Sequence, residues 1–217
     1  MKDLRSYAEA FLAACEGLDV EFDACASLTS PLACMYKDQP SAMRYEMECN
    51  KMANLGDVVR RFKDARSLYY DAQKGLNACG QGFLARENGL YLMALIDCVE
   101  LCSEQLYEHY RALIDIFRES MRGLLRWQDE ASGLFFEVID QPAGEGNGAD
   151  VCGSAMAAYA LYKAVRLGVL DGEKYLPIAD SMFESVSECI PVSEAKTSEL
   201  TGVCLKVCSE NLLAGKE

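Results

Sequence analysis

Residues 82–97 read GFLARENGLYLMALID, and this stretch decides the fold because a polar, glycine-rich opening leads directly into a strong helix signal. From Gly89 to Cys102, apolar residues recur three and four positions apart, which places them on neighbouring faces of one helix. The residues that share these faces are Leu90, Met93, Ala94, Asp97, Cys98 and Leu101. The pattern therefore predicts a helix here, with its polar groups gathered at the start.

The same helical periodicity extends along the chain on both sides. It predicts further helices over a stripe from Tyr7 to Cys15, a run from Pro31 toward Tyr36, a run that Pro40 opens and Gly56-Asp57 ends or kinks, Glu104 to Trp127, Ala149 to Leu167, and Lys174 to Cys189. Between them, Leu134 to Asp140 reads as a short extended segment and Gln141 to Asn147 as a loop. Antiparallel hairpins stacked side by side are the packing that this order favours, so we expect an all-α protein.

Composition and charge exclude several classes of function. The chain has 217 residues, of which 51% are hydrophobic, enough for a real core. Its formal net charge of -13 repels phosphate backbones and anionic membranes, which argues against nucleic-acid and membrane partners. The same charge repels an acidic sugar at long range, so a site for a uronate would need a local cation.

Cysteine usage and the first residues predict a cytoplasmic location. The 11 cysteines are an odd number, scattered among apolar neighbours, which is how a reduced chain uses cysteine as a small hydrophobe. Cys98 and Cys102 lie four apart, as do Cys204 and Cys208, and core packing accounts for these pairs better than metal binding. The start, MKDLRSYAEAFLAACEG, lacks the apolar core of a signal peptide, and no stretch is apolar enough to span a bilayer.

A second polar, glycine-containing stretch lies further along the chain. It reads QDEASGLFFEVIDQP over residues 128–142, followed by Gly146-Asn147 and by SAMAAYALYKAVRLG over residues 154–168. Together with GFLARENGLYLMALID, in this order and spacing, it resembles the unsaturated glucuronyl and rhamnogalacturonyl hydrolases of glycoside hydrolase families 88 and 105. PLACMYK at 31–37, SLYYD at 67–71 and LTGVC at 200–204 also resemble motifs of these enzymes.

The resemblance implies a fold and a reaction. The fold is an (α/α) barrel of six helical hairpins, of which residues 1–217 would form a single partial domain that another chain or a second copy completes. The reaction protonates the C4–C5 double bond of a terminal unsaturated uronic acid, in oligosaccharides from pectin or glycosaminoglycans. Water then adds at C5, and the hemiketal collapses and releases the neighbouring sugar. No cofactor and no metal is implied.

Candidate site residues follow from the resemblance, residue by residue. The motif positions imply substrate-binding roles for Arg86, Asp71, Asn88 and Tyr91. The catalytic aspartate of the family falls on Cys25 or Ala24, and the nearest carboxylate is Asp23, so Asp23 is the candidate acid, although a slip of one or two positions turns a helical side chain to another face.

Several positions depart from the motif. Asp71 stands where the family has a histidine, Leu84 and Leu90 stand where it has tryptophans, and Glu87 stands where it has a glycine.

Alternatives remain open for several of these residues. Arg86 is either a uronate clamp or an arginine in an interhelical ion pair, for instance with Glu87 or Asp97. His109 is the only histidine, so catalysis that needs two histidine bases, as in sugar epimerases on similar barrels, is excluded. Because of the departures, the second hypothesis is a catalytically inactive relative that serves as a binding or assembly module, or the product of a decayed gene.

Overall fold

The computed structural model describes residues 30–78, 80 and 82–189, and within these ranges the protein is built from helices. The helices are α1 Pro31–Glu48, α2 Leu55–Tyr69, α3 Ala85–Leu101, α4 Tyr107–Leu125, α5 Val151–Arg166 and α6 Gly172–Cys189. Two short strands, β1 Tyr70–Asp71 and β2 Leu76–Asn77, pair antiparallel and link α2 to α3. None of these helices is both long and apolar enough to cross a membrane.

The helices are arranged as three hairpins in an arc. Helix α3 is central: it packs against α1 on one side, α5 on the other, and α4 behind. Helix α2 contacts α1 and α4, and α6 contacts α5, so α1, α3 and α5 form an inner row backed by α2, α4 and α6. The expectation of an all-α protein made of antiparallel helical hairpins is confirmed.

The inner helices run parallel and begin at the same end. Gly153 at the start of α5 lies against Ala85 at the start of α3, and Lys163 near the end of α5 pairs with Glu100 near the end of α3. Helix α1 has the same direction, since the side chain of Ser30, just before it, bonds to that of Glu87 in the first turn of α3. Three helix starts are therefore gathered at one rim of the arc.

The core lies between the two rows of helices. Its largest fully buried side chains are Tyr91, Phe62, Phe117, Phe135, Leu32, Met43, Leu55, Leu76, Leu92, Leu95, Ile96 and Leu113. Arg66 of α2 and Glu119 of α4 join the outer helices through two hydrogen bonds of 2.6 and 2.8 Å. Burial of this many large apolar side chains makes α3, which contributes most to it, the helix that orients the others.

Before α3 the helices differ from the prediction, which gave no helix over α2 Leu55–Tyr69. Helix α1 continues through Pro40 as one helix, because buried residues on both sides of the proline, among them Met35 and Met43, hold both halves in the core. The chain turns before Gly56, because the Glu46 carboxylate accepts hydrogen bonds from the Asn50 side chain and the Asn54 N–H, which closes the turn at that point.

Cysteines in the described residues are mostly thiols. Cys49, Cys98, Cys102 and Cys189 are free, and burial raises the pKa of both Cys98 and Cys102, which lie in the core as predicted. Cys152, the second residue of α5, is disulfide-bonded, and this departs from the prediction that the whole chain is reduced.

Candidate functional site

The rim where α1, α3 and α5 begin carries a cluster of polar side chains, which we call the rim site: Ser30, Arg86, Glu87 and Asp150. Ser30 caps α1 by accepting a hydrogen bond from the Ala33 N–H at 3.2 Å, and Asp150 caps α5 by accepting one from the Gly153 N–H at 2.9 Å. Helix starts bear partial positive charge, so this rim favours anionic groups.

Backbone hydrogen bonds hold the start of α3 in place. The Ala85 N–H donates to the Glu137 carbonyl at 3.0 Å, and the Ile139 N–H donates to the Phe83 carbonyl at 2.8 Å. The loop that supplies these partners is tied by Asn147, whose side chain accepts from the Val138 N–H at 3.0 Å and donates to the Val138 carbonyl at 2.9 Å. The predicted extended segment thus supports the rim site through backbone hydrogen bonds to the start of α3.

Two glycines bring α3 and α5 unusually close. A Cβ atom on Gly89 would lie 2.8 Å from Met156 Cβ, and one on Gly153 would lie 2.8 Å from the Ala85 carbonyl carbon. These are distances at which a side chain does not fit without a shift of its neighbours. The close approach places the side chains at the start of α3 beside Asp150 at the start of α5.

Arg86 is the cation of the rim site. Its Nη2 atom lies 3.7 Å from Asp150 Oδ1, and its side chain is 28% exposed while that of Asp150 is 5% exposed. The ion pair is long, and the same Oδ1 atom already accepts the hydrogen bond of the helix cap. Of the partners considered for Arg86, Asp97 pairs with Lys163 instead, at 2.8 Å. Arg86 thus places a positive charge beside Asp150 at the rim, in a chain whose formal net charge is -13.

Glu87 is buried next to Arg86. It is 8% exposed, on the side of α3 that faces α1. Burial raises the pKa of its carboxyl group, and a hydrogen bond with the Ser30 hydroxyl opposes this in part. From the sequence, Glu87 is a departure from a motif glycine and one of the two ion-pair partners considered for Arg86. The signal for a further role is that this charged residue lies in the first turn of a helix whose other positions are mostly buried.

Asn88 and Tyr91 lie in the framework and not on an accessible surface. The Asn88 side chain accepts from the Asn77 N–H at 2.9 Å and donates to the carbonyls of Asn77 and Leu84, each at 2.9 Å, which fastens β2 to α3. Tyr91 is fully buried, and its hydroxyl donates to the Phe62 carbonyl at 3.3 Å. Both side chains are buried and bonded within the protein. They therefore support the fold, and they are not placed to make the substrate contacts implied for them.

Asp71 also has a structural role, and Asp23 lies outside the described residues. The Asp71 carboxylate accepts hydrogen bonds from the N–H groups of Gln73 at 2.8 Å and Lys74 at 3.0 Å, closing the turn between β1 and β2. The Lys74 ammonium pairs with Asp140 and lies 4.4 Å from the centre of the Phe83 ring, so this turn anchors the loop before α3. Asp71 therefore closes this turn, and the substrate-binding role implied for it stays a prediction.

The other end of the inner row holds a pocket of about 450 Å³. Its walls include Arg44 of α1, Asp97 and Glu100 of α3, and Lys163 of α5. The Lys163 ammonium bonds to Asp97 and to the Tyr159 hydroxyl at 3.1 Å, and it pairs with Glu100 at 2.5 Å. Through these partners, Lys163 joins α5 to α3. Among the described residues, no group of three His, Cys, Asp or Glu side chains could hold a metal ion.

A family model described as Glycosyl Hydrolase Family 88 matches residues 32–211, which is most of the chain. The chain belongs to glycosyl hydrolase family 88. The resemblance seen in the motifs is thereby confirmed, and the family 88 chain is a hydrolase-like protein of a carbohydrate-acting family.

Individual relatives agree with the family assignment. Protein Atu3128 of Agrobacterium fabrum is 30% identical to this family 88 chain over 151 residues, which cover 62% of the chain and 64% of that protein. A family 105 glycoside hydrolase of C. acetobutylicum superposes with a TM-score of 0.67 and 26% identity, over 72% of this chain and 47% of that one.

A third relative is similar in fold alone. A family 88 glycosyl hydrolase from Bacteroides vulgatus superposes with a TM-score of 0.65 at 17% identity, over 76% of this chain and 54% of that one. The family 88 chain thus spans less than two thirds of the curated relative and about half of each solved structure.

Proposed function

We propose that the protein hydrolyses unsaturated uronyl residues from the ends of oligosaccharides derived from pectin or glycosaminoglycans. The observation that carries this proposal is Arg86, a partly exposed cation held at the rim where three helices begin. A uronate carboxylate is an anion that arginine binds through charge-assisted hydrogen bonds. Membership of the family supports an oligosaccharide as the substrate. The positive charge of Arg86 would attract the uronate carboxylate locally, against the long-range repulsion expected from a net charge of -13.

The reaction would proceed by hydration of the C4–C5 double bond. Arg86 orients the uronate carboxylate, a nearby acid protonates C4, and water adds at C5. This route needs a single carboxyl group that can donate a proton near neutral pH, and it differs from the usual pair of carboxylates that flank a glycosidic bond. Asp23 is the carboxylate nearest to the motif position of the acid and stays a candidate on that ground; it lies outside the described residues.

The test follows the ultraviolet absorbance of the unsaturated uronate, which disappears when the double bond is hydrated. We expect the full chain to remove this absorbance from unsaturated disaccharides of one of the two polysaccharide classes. Arg86→Ala should raise KM about 10- to 100-fold, because a hydrogen bond to a charged group contributes about 1.5–3 kcal/mol. Arg86→Lys should recover part of the loss.

Arg111→Ala is the matched control, since Arg111 lies on α4, is exposed, and pairs with Asp115 at 2.9 Å. It should leave KM unchanged. Equal KM values for wild-type protein and Arg86→Ala would contradict the proposed role of Arg86.

A second candidate function is binding without turnover. It is favoured by Asp71, which stands where the family has a histidine and is committed to a turn. Under this alternative, calorimetry would detect saturable binding of an unsaturated disaccharide, weakened by Arg86→Ala, while the absorbance stays constant. A cytoplasmic location and completion of the barrel by another copy or a companion chain remain predictions.

A further inference from the structure

Glu87 is a buried carboxyl group with an unused oxygen. Its Oε2 atom is inaccessible to solvent and has no hydrogen-bond partner among the described residues. Leaving a buried polar group unsatisfied destabilises a protein, and a charged group more than a neutral one. Packing alone therefore gives no reason for a glutamate at this position, where the motif has glycine.

Glu46 shows what a structural buried glutamate looks like in the same protein. It is 6% exposed, close to the value for Glu87. Both of its oxygens accept hydrogen bonds from the Asn50 side chain, at 2.9 and 3.0 Å, and Oε2 also accepts one from the Asn54 N–H at 2.8 Å. These bonds, with that from Asn54 the largest cause, lower the pKa of Glu46, whereas burial raises that of Glu87.

The position of Glu87 matches what a proton donor at this rim needs. It follows Arg86 directly, and two consecutive residues on a helix point about 100° apart, so the two side chains flank the start of α3 on its α5 side and its α1 side. A uronate ring lying across this helix start would have its carboxylate toward Arg86 and its double bond toward Glu87. Asp150 also has a buried oxygen without a hydrogen-bond partner, Oδ2, but it is less suited because its Oδ1 atom caps α5 and lies 3.7 Å from the Arg86 guanidinium.

We propose that Glu87 is the catalytic acid of this protein and takes the place of the aspartate that the motif spacing lacks. The inference rests on the proposed function. Glu87 gives its proton to C4, and the electron pair of the C4–C5 double bond forms the new C–H bond, leaving an oxocarbenium ion at C5. Water adds at C5 and returns a proton to Glu87. The hemiketal opens to a ketone, and the hemiacetal left at C1 releases the neighbouring sugar.

The experiment compares the initial rate of absorbance loss for the full chain, Glu87→Gln, Glu87→Asp and the control Glu46→Gln, each checked for folding by circular dichroism. We expect Glu87→Gln to lower kcat at least about 100-fold with KM within a few-fold, since a general acid contributes about 10²–10⁴-fold. Glu87→Asp should recover part of the rate. Glu46→Gln should keep kcat per folded molecule. The wild-type kcat should fall as pH rises through the pKa of Glu87, because the acid must be protonated.

Each outcome decides between the proposals. If the wild-type protein is active and Glu87→Gln keeps kcat within about threefold, the role of Glu87 is rejected and the proposed function stands. A loss in Asp23→Asn without a loss in Glu87→Gln would assign the acid to Asp23. Absence of activity in the wild-type protein on both classes of disaccharide would reject both proposals. Should Glu87→Gln fail to fold, Glu87→Gly, which restores the motif glycine, supplies the same comparison.

Discussion

At the scale of single residues, the two buried glutamates carry opposite pH dependence. The pKa of Glu87 is raised, so its contribution to the free energy of unfolding is present below its unfolded pKa and is lost as pH rises through the raised value. The pKa of Glu46 is lowered, so its contribution is present above the unfolded pKa and is lost as pH falls through the lowered value.

Glu87→Gln and Glu46→Gln separate these two effects in chemical unfolding between pH 3 and pH 8, a range of about five units around the ordinary carboxyl pKa. The free energy of unfolding of the wild-type protein should fall as pH rises through the pKa of Glu87. We expect this fall to be absent in Glu87→Gln. Glu46→Gln should instead be less stable than wild type near neutral pH, with the difference shrinking in acid. Parallel stability curves for wild type and Glu87→Gln would show that burial does not perturb Glu87.

Sequence and structure agree at the residue scale where a residue's type alone decides its role. Arg86 is a cation at a helix start whichever neighbours it has, so the sequence motif was enough to predict its place at the start of α3. Asn88, Tyr91 and Glu87 could not be assigned this way, because their roles depend on which side of α3 they occupy and on how deeply they are buried. Those properties arise from the packing of α1 and β2, which no local pattern contains.

At the scale of elements, the contact between α3 and α5 sets the geometry of the rim site. Gly153→Ala would put a Cβ atom 2.8 Å from the backbone of both Ala85 and Arg86, so one of the two helices must move. We expect it to lower the free energy of unfolding by about 1–3 kcal/mol, as overpacking does, and to raise KM because Arg86 shifts with α3.

Gly56→Ala is the matched control, also in the first turn of a helix. Its Cβ atom would meet only His109 Cε1, at 3.9 Å. We expect it to be neutral or to stabilise by up to about 1 kcal/mol through helix propensity. Thermal unfolding monitored by circular dichroism measures both, and equal Tm shifts would contradict the close packing of α3 on α5.

The elements themselves were largely predictable, since long apolar periodicities identify helices well. Helices α3 to α6 lie where the periodicity placed them, with shifts of a few residues at their starts. The helix start predicted at Pro40 was wrong. A proline normally marks a helix start, but here the buried residues around it keep α1 continuous. The strands β1 and β2 were missed because two residues each are too short to show alternation.

At the scale of the whole molecule, the described residues form three hairpins, while the family resemblance implies a ring of six. The exposed aromatic side chains Tyr45 on α1 and Phe183 on α6 lie on helices at the two flanks of the arc. If a second copy completes the ring, light scattering of the full chain should give twice the mass of one chain, and Phe183→Ser should lower it. A monomer at high concentration would contradict a second copy.

The central claim is that the rim where α1, α3 and α5 begin acts on a terminal unsaturated uronate. A time course of ultraviolet absorbance, with the full chain mixed with unsaturated disaccharides from pectin and from glycosaminoglycans, tests it most directly. The account predicts a steady decay for one class of disaccharide, proportional to protein concentration. A flat trace for both classes, with protein shown to be folded, would contradict it.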